Sequence, residues 1–238
     1  MIDFKTHIKI FKSIKSEDDI DAYISGLELV ERLEITRAIK DTYPIKESSD
    51  IPKELYEKFS ITSKVMDAVL GQFIMIEQII TGKTTFSDDE QRDLEFAKLI
   101  LRPKNHTEFD NSDTALELEN EKNILSTPVQ DVYNAINSYL KDRDYVLFKQ
   151  FSGVFYEIND EEEDEEEEEQ QEKTRESLFQ NQWYWYSIVR MLAQEDIRRY
   201  DQIYMLKMST VLPEMSYITQ KEKIEKAEMR RQQALNKL

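Results

Sequence analysis

Helix breakers are scarce in this chain, with four glycines and five prolines in 238 residues. Sandwiches and barrels turn often and place Gly and Pro at those turns, and phosphate-cradling loops need clustered glycines. Both are disfavoured here. Glu, Lys, Leu, Gln, Ile and Met, which favour helix, dominate instead. The expected fold class is mainly α. It comprises a helical bundle-like core interrupted by a flexible acidic segment, then a C-terminal helical hairpin and a terminal basic helix.

Charge locates the interruption. The formal net charge is −17, but ten consecutive acids run from Asp160 to Glu169, so the rest of the chain carries only −7. Like charges at adjacent and i+4 positions repel, and nothing in the run is apolar enough to offset the entropy lost on ordering. A calcium site needs spaced oxygen ligands around a turn glycine, and the run has neither. Residues 159–176 therefore read as a solvated low-complexity linker between a mainly helical 1–158 and a helical 177–238. Docking onto a basic partner, or nucleic-acid mimicry, are the functional alternatives for the run. The acidic balance argues against phosphate-backbone binding, which needs Lys and Arg to displace counterions.

Apolar spacing and cap-like residues mark the helices. Ile2 to Ile14 alternates loosely and suits a short strand or an extended arm. Ser16 with Asp19 resembles a cap, followed by Ile20, Tyr23, Ile24, Leu27 and Val30 on one face. A polar link lies between Pro44 and Pro52. The spacing predicts a helix after Ser63 with Val65, Val69, Phe73 and Ile76 inward, ending near Gly82. Ser87 with Glu90 opens a helix through Phe96, Leu99 and Ile100 that Pro103 stops. Asn105 to Asn120 reads as a polar loop. Thr127 with Pro128 as first helical residue starts a helix carrying Val132, Ala135, Ile136 and Tyr139. Val146 to Ile158 is aromatic-rich and compatible with helix or strand. Beyond the acidic run, Trp185, Val189, Leu192 and Ala193 form one stripe, and Ile197, Tyr200, Ile203 and Tyr204 the next, with Asp196 as its cap. Pro213 punctuates, and a last helix is expected from about Glu214. Its end, Thr219 to Leu238, carries six bases against three acids. Its few apolar residues do not make a heptad seam.

The sequence offers no positive sign of catalytic chemistry. Without cysteine there is no disulfide, thiolate metal site or cysteine nucleophile. Ile80-Thr81-Gly82-Lys83-Thr84 lacks the glycine a phosphate loop needs five residues before Gly82, where Glu77 stands. Gly82 reads as a helix C-cap instead. The two histidines, His7 and His106, sit in unlike contexts, and zinc would need further ligands from scattered carboxylates. No Gly-x-Ser-x-Gly elbow occurs. The expectation is a non-enzymatic protein without cofactor or metal. No apolar run approaches the roughly 20 residues that span a bilayer. The start of the chain lacks the form of a secretory signal.

One feature points to binding. Trp183, Tyr184, Trp185 and Tyr186 are consecutive, and four consecutive aromatics spread over more than half a helix circumference. Some face a core, and the excess is a candidate interface anchor, because Trp and Tyr dominate binding hot spots. The candidate partner-binding residues are Trp183, Tyr184, Trp185, Tyr186 and Val189.

Three stretches carry a resemblance: Leu70-Gly71-Gln72-Phe73-Ile74; Leu99-Ile100-Leu101-Arg102-Pro103-Lys104 with the polar Asn105 to Asp113 after it; and Trp185, Leu192-Ala193, Asp196, Tyr200-Asp201, Leu206 and Leu212 in that order. Together they resemble proteins from the tail and virion-morphogenesis clusters of tailed bacteriophages, nearest the tail assembly chaperone and baseplate-hub assembly group. The acidic segment departs from that pattern. The resemblance implies an assembly factor in the host cytoplasm that contacts other tail or virion proteins, such as a long helical tape-measure-like client. It implies no catalytic residue, and homo-oligomers fit it. A permanent virion component, such as a connector, ring or tail adaptor, is the alternative. An acidic DNA-mimic inhibitor is the second. Direct nucleic-acid or membrane binding is not expected.

Overall fold

A Gly-poor, Leu- and Glu-rich chain satisfies its backbone locally, and helices accordingly predominate among the described residues. A computed structural model describes residues 3–5, 48–104, 114–155 and 183–235. The expected helix at 16–30, both histidines and the acidic run at 160–169 lie outside them. The chain divides into two compact units, residues 1–65 with 75–143 and residues 66–74 with 144–238. The contacts thus group 66–74 and 144–155 with the C-terminal region, whereas the sequence reading placed both in 1–158.

The first unit starts with helix α1 (Lys53–Lys58) and strand β1 (Phe59–Ile61). Helix α2 (Leu70–Ile80) contributes its residues from Met75 onward. Helix α3 (Asp89–Ile100) runs directly into strand β2 (Leu101–Pro103), followed by α4 (Thr114–Leu125) and α5 (Val129–Tyr145, to Arg143 in this unit). The strands pair antiparallel, with Phe59 opposite Pro103 and Ile61 opposite Leu101. Pro103 sits at the strand end, where its missing N–H costs little. Strands of three residues leave no alternation for the sequence to show.

Local chemistry explains the element ends. Helix α2 stops in a Schellman motif: Gly82 takes φ +68°, its N–H reaches Ile79 O (3.2 Å) and the Lys83 N–H reaches Gln78 O (2.9 Å). The C-cap reading of Gly82 holds. The start of α2 was misplaced: Val65–Asp67 is a 3₁₀ turn and the helix begins at Leu70. Helix α3 is capped by Asp88 rather than Ser87, its carboxylate accepting from the Gln91 N–H at 2.8 Å. Gln91 reaches back to accept from the N–H of Ser87, the residue before the cap, at 3.1 Å. Helix α4 corrects the loop expected over Asn105 to Asn120, at least for residues 114–120. Its inward face is carried by Leu116 and Asn120, and buried Asn120 donates to Leu101 O at 2.9 Å. A polar residue doing a core job hid that helix. The Lys58 ammonium closes the end of α4 by donating to Asn123 O, Ser126 Oγ and Thr127 Oγ1 at 2.8, 3.1 and 2.8 Å. Burial lowers the Lys58 pKa.

Helix α5 buries Val132, Ala135, Ile136 and Tyr139, the stripe expected of it. It begins at Val129, with Pro128 O accepting from the Asp131 N–H. Two carboxylates tie it to distant chain: Asp142 accepts from the Val65 N–H at 2.8 Å, and Glu77 accepts from Arg143 through both oxygens at 2.5 and 2.7 Å. Tyr139 meets Phe96 edge-on at 5.9 Å, yet its fully buried hydroxyl has no hydrogen-bond partner among the described residues. Burial, then the charge of Glu77, hold its proton far above the ordinary phenol value. A partnerless buried hydroxyl is a cost without return. Tyr139→Phe is therefore expected to raise stability by about 1 kcal/mol in urea denaturation; a loss instead would mean the hydroxyl is bonded.

The second unit is assembled around the start of α2. The Leu70 N–H donates to Leu206 O and the Met208 N–H to Ala68 O, both at 2.8 Å, with a bridge between Val69 and Lys207. Val146–Gln150 forms a π-helical turn and Ser152–Phe155 a short helix, α6, so the ambiguous aromatic stretch is helical to 155. Residues 183–192 are helical (α7). A 3₁₀ turn, Ile197–Arg199, leads into α8 (Tyr200–Tyr204), and α9 (Met208–Leu235) follows. Helix α9 corrects the expected start at Glu214. Pro213 lies inside it, and the hydrogen bond it forfeits is to Ser209 O, on an exposed residue that water can serve. Met208, Val211, Leu212 and Met215 anchor its first turns in the core.

Gly71 is a close-approach position. A Cβ there would meet Tyr204 O at 3.4 Å and Tyr204 Cβ at 3.5 Å, which is ordinary contact, while a larger side chain would have to displace Tyr204 or turn past it. Gly71→Ala should leave thermal stability unchanged or raise it by up to about 1 kcal/mol through helix propensity, while Gly71→Leu should lower it by more than that.

Candidate protein-binding surface

Helix α7 sorts its four leading aromatics by geometry alone. At about 100° per residue, Trp183 and Tyr186 share one face and Trp185, Ile188, Val189 and Leu192 share the other. The inward face is a built core. Trp185 meets Phe73 edge-on at 5.1 Å and Tyr184 at 5.1 Å, while Ile188, Val189 and Ala193 are buried. Burial pushes the Tyr184 phenol up to about 12.

The outward face is a continuous aromatic edge. Trp183 and Tyr186 are 41% and 43% exposed, with ring centroids 5.6 Å apart and nearly perpendicular. Tyr186 in turn meets Tyr200 of α8 at 6.0 Å. A hydroxyl hydrogen bond to Tyr186 raises the Tyr200 pKa. Met191 is also exposed on this helix. T-shaped stacking fixes the rings without covering them, so they are held before any partner arrives.

The connection from α7 to α8 is held by short-range polar contacts. Gln194 and Glu195 take φ of 55° and 62°, and the Glu195 N–H returns to Arg190 O at 2.9 Å, ending the helix without glycine. Arg190 also donates to Glu195 Oε1 at 3.2 Å. Asp196 caps the next turn, accepting from the Arg198 N–H at 3.1 Å and from its guanidinium at 2.9 Å through each oxygen. The side-chain hydrogen bond from Arg198 lowers the Asp196 pKa, and the same bond raises that of Arg198. These exposed pairs orient the turn rather than stabilise it much.

Of the five candidate residues, Trp183 and Tyr186 offer surface, Tyr184 and Trp185 are half-buried supports, and Val189 is wholly buried and presents nothing to a partner. Val189 falls on the inward face because it follows Trp185 by four residues, so the correction comes from helix phase. Tyr200 joins the surface although its spacing suggested core, and Ile197 is 72% exposed rather than part of an inward stripe. A 3₁₀ turn over 197–199 breaks the 3.6-residue phase on which that stripe was read. No group of three or more potential metal ligands occurs among the described residues. No helix among them is long and apolar enough to cross a membrane. No known protein family, curated protein or solved structure matches the chain.

Proposed function

We propose that this protein is a non-enzymatic assembly factor that works through helical protein–protein contacts. On the resemblance of its three motif stretches, we place it in bacteriophage tail morphogenesis as a tail assembly chaperone or baseplate assembly factor. The observation that carries the reading is the preorganised outward edge of Trp183, Tyr186 and Tyr200. Exposed aromatics fixed by their neighbours lose little freedom on binding, which suits them to cover the apolar face of an amphipathic helix. A net charge of −17 over the whole chain favours the solubility of a protein that carries such a surface.

The test is quantitative mass spectrometry of purified particles beside the lysate of producing cells. An assembly factor is abundant in lysate and absent from particles. Fixed stoichiometry in the particle would overturn this reading in favour of a virion component.

A further inference from the structure

Helix α9 uses opposite faces in succession. Its first turns bury Met208, Val211, Leu212 and Met215, whereas Tyr217, Ile224 and Leu235 project on the other side, about 60% exposed each. Tyr217 and Ile224 are seven residues apart, two helical turns or about 10.5 Å. Helix α4 of the first unit shows a counterpart with the same period. An open groove of about 480 Å³ is lined by Leu118, Glu119, Glu121, Lys122 and Leu125. Its apolar residues, Leu118 and Leu125, are also seven apart, and Leu118 is 63% exposed.

Charge selects how the two would meet. Laid antiparallel with Leu118 on Ile224 and Leu125 on Tyr217, Glu121 falls opposite Lys221 and Lys122 level with Gln220. Laid parallel, Lys122 falls opposite Lys221. An antiparallel pairing of two α9 stripes through Tyr217 and Leu235 sets Lys221 against Arg231. Lys221 and its present partner Glu225, 3.8 Å away, are exposed and exchange cheaply, while Lys98, 3.5 Å from Glu121, also has Glu95 at 3.1 Å.

We propose that the groove of α4 receives the Tyr217–Ile224 stripe of α9 from a second copy of this chain, antiparallel. The contact is heterologous, since each copy offers one groove and one stripe, so it closes into rings of two or more copies or runs on into open chains. A two-turn patch is well below the roughly 800 Å² per partner of a stable interface, so association is weak and concentration-dependent.

Sedimentation velocity of the full chain over a concentration series tests this, with Leu118→Asp and Ile224→Asp as variants. Both residues are exposed, and unchanged circular dichroism confirms folding. The wild type is expected to form oligomers that grow with concentration and weaken with salt, and each variant to lose association by at least about tenfold. An equimolar mixture of the two variants retains one intact groove and one intact stripe, so it should yield dimers that grow no further. A wild type that stays monomeric at every concentration, variants that still oligomerise, or a mixture that does not dimerise would each overturn the proposal.

Discussion

Glu77→Ala is expected to destabilise the first unit by about 3–5 kcal/mol, the usual cost of removing one partner from a buried ion pair. The Glu77 and Arg143 side chains are only 8% and 12% exposed, and both carboxylate oxygens accept from the guanidinium. Truncating Glu77 strips Arg143 of that bidentate acceptor while leaving its charge out of water. The pair itself is worth far less than its breakage, because its attraction is spent on desolvation. Replacing both residues, as Glu77→Met with Arg143→Met, should therefore recover most of the loss. Urea denaturation monitored by circular dichroism checks this, read from the midpoint at unchanged slope. A loss under about 1 kcal/mol for Glu77→Ala would show that water reaches the pair.

Phe73→Ala should cost the second unit a similar amount, about 3–5 kcal/mol. Phe73 is fully buried, and its ring meets Trp185 edge-on at 5.1 Å. Its removal opens a cavity beneath the inward face of α7 and deprives Trp185 of an aromatic neighbour. Trp185 emission should shift to the red as water approaches, most cleanly in a Trp183→Phe background where it is the one tryptophan. Because Trp185 supports the helix that displays Trp183 and Tyr186, partner binding should weaken in the same variant although Phe73 touches no partner. An unchanged midpoint and spectrum would mean that α7 is not seated on this core.

The helical architecture was legible because it rests on spacing and caps. The Val132 to Tyr139 stripe of α5, the left-handed stop at Gly82 and the cap at Asp196 all follow from local chemistry. Where tertiary contacts decide, the sequence was silent or misleading. Asn120 looked like loop because its amide serves a carbonyl nineteen residues away, in β2. Pro213 looked like a stop because nothing local shows that the carbonyl it abandons faces solvent. The surface was half legible. Four consecutive aromatics cannot all face one core, which required an outward pair. Helix phase then identifies that pair as Trp183 and Tyr186 and sends Val189 inward. Tyr200 was beyond reach, since its place depends on the 3₁₀ turn that delivers α8 beside Tyr186.

The central claim is that the Trp183–Tyr186 edge is where a helical partner binds. Site-specific photo-crosslinking tests it most directly, with p-benzoylphenylalanine in place of Tyr186, and in place of exposed Tyr56 as control, in lysate of producing cells. The account predicts a single predominantly helical protein captured from position 186, at low salt and at about 1 M salt alike, because apolar contacts are not screened. Position 56 should capture none of it. No adduct from position 186, equal adducts from both positions, or capture of nucleic acid would contradict the account.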